Sequence, residues 1–228
     1  MIITLTGVIG VGKSTLCESL CSELGATPFF EPLPSGDSPN SNFMLEAYYK
    51  DSAKYAFSMQ VLLLALRFRS HQEAQWRSNR GELCIEDSSY YADRCFLEVQ
   101  KECGFIDDLE YRAYEKICEI HYPYLQYPDL HIHLDLDLEK EIERIKERAR
   151  DCEASIDIDY LKKLHNAYDK LIPHLEKLYP LVRIDASCSK EDVKQRALEA
   201  IHKRMMEMEK ERGWPTYKKN CSYVKANI

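Results

Sequence analysis

Residues 7–15 read Gly-Val-Ile-Gly-Val-Gly-Lys-Ser-Thr, and this stretch decides the fold. It completes the pattern G-x-x-x-x-G-K-[ST] directly after the apolar run 2–6 and before a helix-like stretch. The glycines let the backbone bend so that successive N–H groups point inward at phosphate oxygens. Lys13 adds positive charge for the β- and γ-phosphates of a nucleotide, and the Ser14 hydroxyl can bind Mg²⁺. The candidate nucleotide-binding residues are Gly7, Gly10, Val11, Gly12, Lys13, Ser14 and Thr15.

The composition indicates a globular protein with small-molecule ligands. The 228 residues can bury one substantial core, so we expect a single domain over residues 1–228. With 38 acidic and 31 basic residues the formal net charge is −7, which argues against a nucleic acid or a membrane surface as a partner. A local basic pocket can still bind a small phosphorylated ligand such as ATP.

Cysteine usage and the amino terminus favour the cytoplasm. The nine cysteines are an odd number, lack paired metal-ligand spacing and fit reduced thiols, with Cys17 and Cys21 one helical turn apart. The sequence starts with the first apolar strand pattern, so we expect no signal or transit peptide. No apolar run reaches the length of a membrane span.

Alternating strand and helix patterns predict an α/β fold. Short apolar, β-prone runs are separated by long helical patterns, which predicts a parallel sheet of five strands with helices on both faces. The ligand should bind beyond the carboxyl ends of these strands. The predicted strands cover about 2–6, 27–30, 83–85, 131–134 and 181–184. The later helices cover about 43–51, 53–79, 90–103, 107–121, 138–150, 158–178 and 189–212, and a Lys-rich tail follows at about 213–228.

Glu31 is a candidate general base. It follows the apolar run Pro28–Phe30 and precedes Pro32, which puts a carboxylate on the rim of the sheet beside the phosphate-binding loop. A base for a hydroxyl acceptor would lie there. A solvated loop glutamate explains the position equally well.

Two polar residues interrupt an apolar helix pattern between residues 55 and 68. Gln60 and Arg67 are seven residues apart, about two helical turns, so they share one face of a helix that must be buried. Buried polar groups need partners. A flat ligand with several hydrogen-bonding edges would satisfy both groups, and so would an internal salt bridge with an amide contact.

The order of these motifs resembles the deoxynucleoside kinase family, which includes deoxycytidine, deoxyguanosine and deoxyadenosine kinases. The resemblance rests on the phosphate-binding loop, the Phe-Phe-Glu31-Pro32 corner, the Tyr-x-Phe-x-x-Gln60 helix, the Glu86-x-Ser88 strand end and the stretch 144–165. It covers nearly the whole chain up to about Arg212. It implies the P-loop kinase fold with a helical lid at about 144–158.

The resemblance also implies roles for individual residues. Glu31 matches the carboxylate that takes the proton from the sugar 5′-hydroxyl, and Gln60 matches the glutamine that pairs with the base. Tyr49 matches a tyrosine that holds the 3′-hydroxyl, with Glu153 as its partner. Further matches are Arg67 and Ala92 at positions that vary with base specificity, Arg148 and Arg150 as lid arginines over the transferring phosphoryl group, and Glu86 beside Ser14 as a Mg²⁺ position.

One departure from the family pattern concerns Asp87. The family signature at this strand end is Glu-Arg-Ser or Asp-Arg-Ser, whereas this sequence reads Glu86-Asp87-Ser88. A carboxylate in place of the arginine is unfavourable near phosphates unless a cation such as Mg²⁺ lies between them. Either the site is rearranged or catalysis is weakened.

Base preference is only partly readable. Arg67 resembles the deoxycytidine and purine kinases, whereas Ala92 lies where those enzymes carry an acid and thymidine-accepting ones carry alanine. The amino-acid sequence of the helix around Gln60 and Arg67 resembles that of the bacterial purine deoxynucleoside kinases. It therefore favours purine deoxynucleosides as substrates.

The leading hypothesis is a kinase that transfers the γ-phosphoryl group of ATP, with Mg²⁺, to the 5′-hydroxyl of a deoxynucleoside. One alternative is a nucleoside monophosphate kinase of the thymidylate kinase type, although acids near the acceptor disfavour it. The other is a nucleotide-binding subunit that has lost transfer, an interpretation that rests on Asp87. We also expect a homodimer, formed through the helices at 53–79 and 90–103.

Overall fold

The computed structural model describes residues 1–30, 43–148 and 156–212. Its strands are β1 (Ile2–Gly7), β2 (Thr27–Phe29), β3 (Cys84–Glu86), β4 (Leu130–Asp135) and β5 (Leu181–Asp185). Its helices are α1 (Lys13–Leu24), α2 (Phe43–Lys50), α3 (Ser52–Ser78), α4 (Asp93–Glu102), α5 (Asp108–His121), α6 (Leu138–Arg148), α7 (Ile158–Leu178) and α8 (Lys190–Arg212). Short 3₁₀ turns occur at Tyr90–Ala92 and Tyr122–Tyr124.

The strands form one parallel sheet in the order β2-β3-β1-β4-β5. Strand β1 lies in the middle and pairs with β3 on one side and β4 on the other. The five-stranded parallel sheet predicted from the sequence is thus confirmed, and each predicted strand lies within one or two residues of an observed one.

Helices cover both faces of the sheet, as predicted. Helices α1 and α8 pack together on one face, and α3 and α7 pack on the other, with α4 between them. The face under α1 is apolar, since Ile3, Leu5 and Ile85 are fully buried in one core with Leu16 and Leu20.

The face under α3 and α7 is polar instead. Thr4 is in register with Glu86 on β3 and with His131 on β4, so the three side chains form one row across the sheet. The Thr4 hydroxyl lies 2.7 Å from Nδ1 of His131, and the next row repeats the contact between Thr6 and His133 at 2.9 Å. Burial, together with the nearby His71, lowers the pKa of His131 to about 4, so this imidazole is neutral at neutral pH.

Local signals set the helix ends. The Asp51 side chain accepts a hydrogen bond from the Lys54 backbone N–H and so caps α3, and Asp107 with Glu110 forms a capping box on α5. Helix α1 differs, because Gly12 caps it without a side-chain hydrogen bond. The first amides of α1 are therefore available to a ligand.

Two further expectations concern cysteines and membranes. The seven cysteines within the described ranges have free thiols, and Cys17 and Cys21 are buried on α1. Among the helices of the described part, none is long and apolar enough to cross a membrane.

Gly7 should tolerate a side chain less well than Gly25. Both have positive φ, +144° and +63°, but a Cβ on Gly7 would lie 2.7 Å from the Leu134 carbonyl oxygen, whereas one on Gly25 would meet nothing within 4 Å. We expect Gly25→Ala to lower the free energy of unfolding by about 1 to 2 kcal/mol and Gly7→Ala to lower it more. Urea unfolding of both variants measures this, and equal losses would contradict the close packing of Gly7 on β4.

Candidate active site

The phosphate-binding loop connects β1 to α1 at the carboxyl edge of the sheet. Gly7, Gly10 and Gly12 have φ of 144°, 74° and 106°, conformations that other residues rarely adopt. A Cβ on Gly10 would lie 3.2 Å from the Ile145 side chain of α6, so a larger residue there would press on that helix. The loop is a concave turn that ends at the amino terminus of α1, where Ser14 and Thr15 are exposed.

Two cations hold this loop. Lys13 Nζ donates hydrogen bonds to the carbonyls of Gly7 at 2.9 Å and Val8 at 3.0 Å, so its charge lies across the mouth of the loop. Arg144 on α6 donates to the Val11 carbonyl at 2.9 Å and to the Ala186 carbonyl at 2.7 Å. Arg144 thereby ties the loop to the end of β5.

Asp87 reaches the phosphate-binding loop from β3. Its carboxylate accepts a hydrogen bond of 2.7 Å from the Ser14 hydroxyl, and its side chain is buried. Its backbone N–H donates to the Phe29 carbonyl at 2.8 Å, which joins the ends of β3 and β2. A hydroxyl and a carboxylate oxygen are the hard ligands that Mg²⁺ prefers, and they leave room for phosphate oxygens and water.

Glu86, which the sequence suggested as the carboxylate beside Ser14, lies elsewhere. It is buried, and both of its oxygens contact Nδ1 of His71 on α3, at 3.1 and 2.9 Å. The reason is strand geometry: consecutive residues of a strand point to opposite faces, so only one of Glu86 and Asp87 can face α1. Asp87 does, so the position beside Ser14 that was expected for Glu86 is occupied by Asp87.

Asp93 organises a second buried cluster. At the start of α4 it forms an ion pair with Arg67 and accepts hydrogen bonds from the Tyr114 hydroxyl and, at 2.7 Å, from the Gln60 amide. Gln100 donates to the Gln60 side-chain oxygen at 3.0 Å. Of the two explanations for Gln60 and Arg67, the internal salt bridge with an amide contact is therefore present.

The expectation for Ala92 also needs correction. Ala92 is buried in the main apolar core, and the acid that faces Arg67 and Gln60 is its neighbour Asp93. In both corrections, Glu86 to Asp87 and Ala92 to Asp93, the expected position moves by one residue along the chain. With Asp87 as the strand-end carboxylate, the family signature Asp-Arg-Ser corresponds to Asp87-Ser88-Ser89, and Ser88 occupies the arginine position.

Several predicted site residues cannot be placed. Glu31, Arg150 and Glu153 lie outside the described residues. Tyr49 belongs to α2 and Arg148 ends α6, but their side chains are also outside the described part. The roles suggested for these five residues stay predictions.

The environment of Cys17 shows that it is not a nucleophile. Its thiol is fully buried and donates to the Ile85 carbonyl at 3.6 Å. The hydrogen bond with Cys21, burial and the charge of Asp87 all raise the pKa of this thiol, so it stays protonated.

Asp135 ends β4 at the same edge of the sheet and is already paired. Arg183 donates two hydrogen bonds of 2.9 Å to it, and His133 lies 3.2 Å away. Burial raises the pKa of Asp135, but these contacts with His133 and Arg183 outweigh burial and hold it below its usual value. Asp135 is therefore a paired anion at this edge.

Sequence reasoning missed four residues of the site: Asp87 as the partner of Ser14, and Asp93, Arg144 and His71. Strand alternation would have separated Glu86 from Asp87 once the end of β3 was known. Arg144 and His71 contact carbonyls and carboxylates that are remote in sequence, so no local pattern indicated them.

Comparison with known proteins settles the family. The deoxynucleoside kinase family model matches residues 3–208. The chain belongs to this family. Deoxyadenosine kinase of Dictyostelium discoideum is 36% identical over 185 residues, or 81% of this chain and 72% of that protein. Deoxyadenosine/deoxycytidine kinase of Bacillus subtilis (strain 168) is 32% identical over 75% of this chain and 76% of that protein.

A solved structure supports the same assignment. Deoxyadenosine kinase from M. mycoides, with the products dCMP and a flexible dCDP bound, superposes with a TM-score of 0.76 at 26% identity. The match covers 89% of this chain and 100% of that one. The P-loop kinase fold is thereby confirmed, and the protein is a kinase that phosphorylates deoxynucleosides with ATP.

Removal of the Asp93 side chain should lower the free energy of unfolding far more than removal of an exposed acid. Asp93→Ala removes the buried carboxylate that pairs with Arg67 and accepts hydrogen bonds from Gln60 and Tyr114, and we expect a loss of about 3 to 5 kcal/mol of unfolding free energy. Asp108 pairs with Lys101 at 3.0 Å but its side chain is 87% exposed, so Asp108→Ala should cost less than about 1 kcal/mol. Urea unfolding compares the two, and similar small losses would show that Arg67 finds another partner.

Proposed function

We propose that this kinase transfers the γ-phosphoryl group of ATP to the 5′-hydroxyl of a purine deoxynucleoside, with deoxyadenosine as its best substrate. The observation that carries the base preference is the buried cluster of Gln60, Arg67 and Asp93. The two deoxyadenosine kinases and the deoxyadenosine/deoxycytidine kinase described above support the same substrate class.

The chemistry of the cluster favours bases that carry an amino group. A carboxylate only accepts hydrogen bonds, so Asp93 suits the exocyclic amino group of adenine or cytosine. By exchanging its present hydrogen bonds to Asp93 and Gln100, the Gln60 amide can present one donor and one acceptor to the adjoining ring nitrogen and amino group. Thymine presents a carbonyl oxygen at that edge, which would face the negative charge of Asp93. The same cluster thus argues against thymidine.

The donor phosphates are bound by the loop between β1 and α1. Its inward amides and the first amides of α1 bind phosphate oxygens, and Lys13 exchanges its bonds to the Gly7 and Val8 carbonyls for the β- and γ-phosphates. Arg144 keeps the Val11 carbonyl turned away from these phosphates by hydrogen bonding to it.

Ser14 and Asp87 are the residues that would hold Mg²⁺. Their oxygens already lie 2.7 Å apart, and both are hard donors. Mg²⁺ bound there would neutralise charge on the β- and γ-phosphates. Within the described ranges no group of three or more His, Cys, Asp or Glu side chains could hold a metal.

The acceptor side relies on residues outside the described part. We assign Glu31 as the base that takes the 5′-hydroxyl proton, with Tyr49 and Glu153 on the 3′-hydroxyl and Arg148 and Arg150 on the transferring phosphoryl group. The support is positional. The chain reaches Glu31 directly after β2, whose Phe29 carbonyl is hydrogen bonded to the Asp87 backbone.

The two alternative functions, a monophosphate kinase and an inactive nucleotide-binding subunit, are both disfavoured. A monophosphate kinase needs cations around an acceptor phosphate, and the deoxynucleoside kinase family membership disfavours it. An inactive subunit was suggested by Asp87 in the arginine position, but Asp87 contacts Ser14 and has a use there. Ser88 is the remaining departure from the family signature.

A transfer assay tests the proposal. With labelled ATP and Mg²⁺, the four deoxynucleosides, the four ribonucleosides and the deoxynucleoside monophosphates are compared by kcat/KM. We expect deoxyadenosine to be used best and thymidine least. Preference for thymidine would overturn the role of Asp93, and transfer only to monophosphates would overturn the substrate class.

Lys13→Ala should abolish most transfer and leave the fold intact. The lysine charge acts on phosphates in the transition state, so we expect kcat to fall by about 10²- to 10³-fold, with unchanged thermal unfolding. Lys116→Ala is the matched control, because Lys116 lies on α5 with its side chain 72% exposed. A folded Lys13→Ala protein with most of its activity would refute the assignment of the loop.

We also propose that two copies pair along the face formed by α4, α5 and α7. A cavity of about 950 Å³ opens between these helices. Four acids of α4 and α5 line one wall together with Arg94 and Lys101, and Lys163, Lys170 and His174 of α7 line the other. A two-fold axis can place the acids of one copy opposite the bases of the other. Leu178 at the rim is 54% exposed and apolar. Helix α3, which the sequence suggested for this role, has nine of its 27 residues buried within its own chain.

Light scattering after size-exclusion chromatography tests the pairing. We expect twice the chain mass of 26.7 kDa, and Leu178→Asp should shift the protein towards one chain mass because it places a charge in the interface. Met206→Asp is the control, since Met206 is 57% exposed on α8, on the opposite face of the sheet. A single-chain mass at all concentrations, or equal effects of both variants, would contradict the proposed face.

A further inference from the structure

Helix α3 carries a buried polar stripe. Gln60, Arg67 and His71 are spaced by seven and four residues, which places them on one side of the helix. All three are buried. Two acids meet this stripe, Asp93 at Arg67 and Glu86 at His71. The acids flank the segment 87–92, which begins with the residue that contacts Ser14.

The contact between His71 and Glu86 is an ion pair. Nδ1 of His71 lies 2.9 and 3.1 Å from the two carboxylate oxygens, and Nε2 lies 2.7 Å from the Gln126 carbonyl. Both ring nitrogens face acceptors, so both must carry hydrogen. Burial lowers the pKa of His71, but the charge of Glu86 outweighs burial and the net pKa is raised.

Glu86 and Asp87 are consecutive, and their side chains leave opposite faces of the sheet. A carboxylate held by two contacts on one face restricts rotation of the strand end, and therefore the direction in which the next side chain leaves. A further restraint on this strand end is the hydrogen bond from the Asp87 N–H to the Phe29 carbonyl. Strand β3 is only three residues long, and Glu86 is its last residue paired with β1 and β2.

We propose that the His71–Glu86 pair is a positioning element for the metal site: it holds the end of β3 so that Asp87 presents its carboxylate to Ser14 and to Mg²⁺. This inference rests on the proposed function, because it takes Ser14 and Asp87 as the Mg²⁺ ligands. His71 and Glu86 touch neither nucleotide nor metal, and act through Asp87.

The test measures ATP affinity by calorimetry with Mg²⁺ and with EDTA, which needs no turnover. The ratio of the two dissociation constants reports how strongly Mg²⁺ contributes to binding. We expect the double variant His71→Leu/Glu86→Leu to fold, since a buried ion pair can be replaced by apolar residues of similar volume. Its ratio should fall by about 10- to 100-fold, as for other residues that orient metal ligands.

Two variants serve as references. Asp87→Asn removes a proposed ligand and should reduce the ratio at least as far. Glu141→Leu/His165→Leu removes another pair of the same chemistry, which links α6 to α7 with a 2.6 Å contact and a fully buried glutamate. It should leave the ratio at the wild-type value, because neither residue contacts β3.

The outcomes separate the two claims. If Asp87→Asn keeps the wild-type ratio, the proposed metal site is wrong. If Asp87→Asn lowers it but the folded His71→Leu/Glu86→Leu protein does not, the positioning inference is wrong. Thermal unfolding shows which variants fold.

Single variants of Glu86 carry the test if the double variant does not fold. Glu86→Gln keeps an acceptor for His71 and should hold the ratio near wild type, whereas Glu86→Leu keeps none and should lower it. Equal ratios in these two variants would overturn the inference.

Discussion

The pairing of β1 with neighbours on both sides fixes where the phosphate-binding loop opens. Because β3 and β4 run parallel to β1, the carboxyl ends of all three strands lie at one edge of the sheet. Gly7, Asp87 and Asp135 therefore emerge together although they are far apart in sequence. The strands that flank β1 supply two of the loop's neighbours: Asp87 after β3 accepts a hydrogen bond from Ser14, and Leu134 of β4 packs against Gly7.

The two faces of this sheet are stabilised differently. The face under α1 is apolar and packs by shape, whereas the face under α3 and α7 buries Thr4, Glu86 and His131 in one row. Each buried charge there has to be paired, because an isolated one would cost several kcal/mol. Glu86 is paired by His71, while His131 avoids the cost by staying neutral. The polar face also fixes the register of α3, because a shifted helix would separate Arg67 from Asp93 and His71 from Glu86.

Much of the fold and part of the site could be predicted from the sequence. Apolar runs bounded by helical patterns gave all five strands and the parallel arrangement, and the spacing of the glycines around Lys13 identified the loop. The spacing of Gln60 and Arg67 predicted correctly that they share a buried face. The errors came from register at β3, where one residue decides which side chain faces which helix. Glu86 was expected beside Ser14, where Asp87 lies, and adjacent acids look alike in a sequence. Ala92 was expected to face the base, but it lies in the apolar core and its neighbour Asp93 faces Gln60.

Helix α3 explains why the segment after β3 can depart from its family's signature. Arg67 and His71 are one helical turn apart, a rise of about 6 Å, and each holds an acid at one end of the segment 86–93. The separation of these two acids is set by a rigid helix and does not depend on the residues between them. Ser88 can therefore replace an arginine without displacing Asp87 on one side or Asp93 on the other. The helix thus fixes the distance between Asp93 and the end of β3, where Asp87 contacts Ser14.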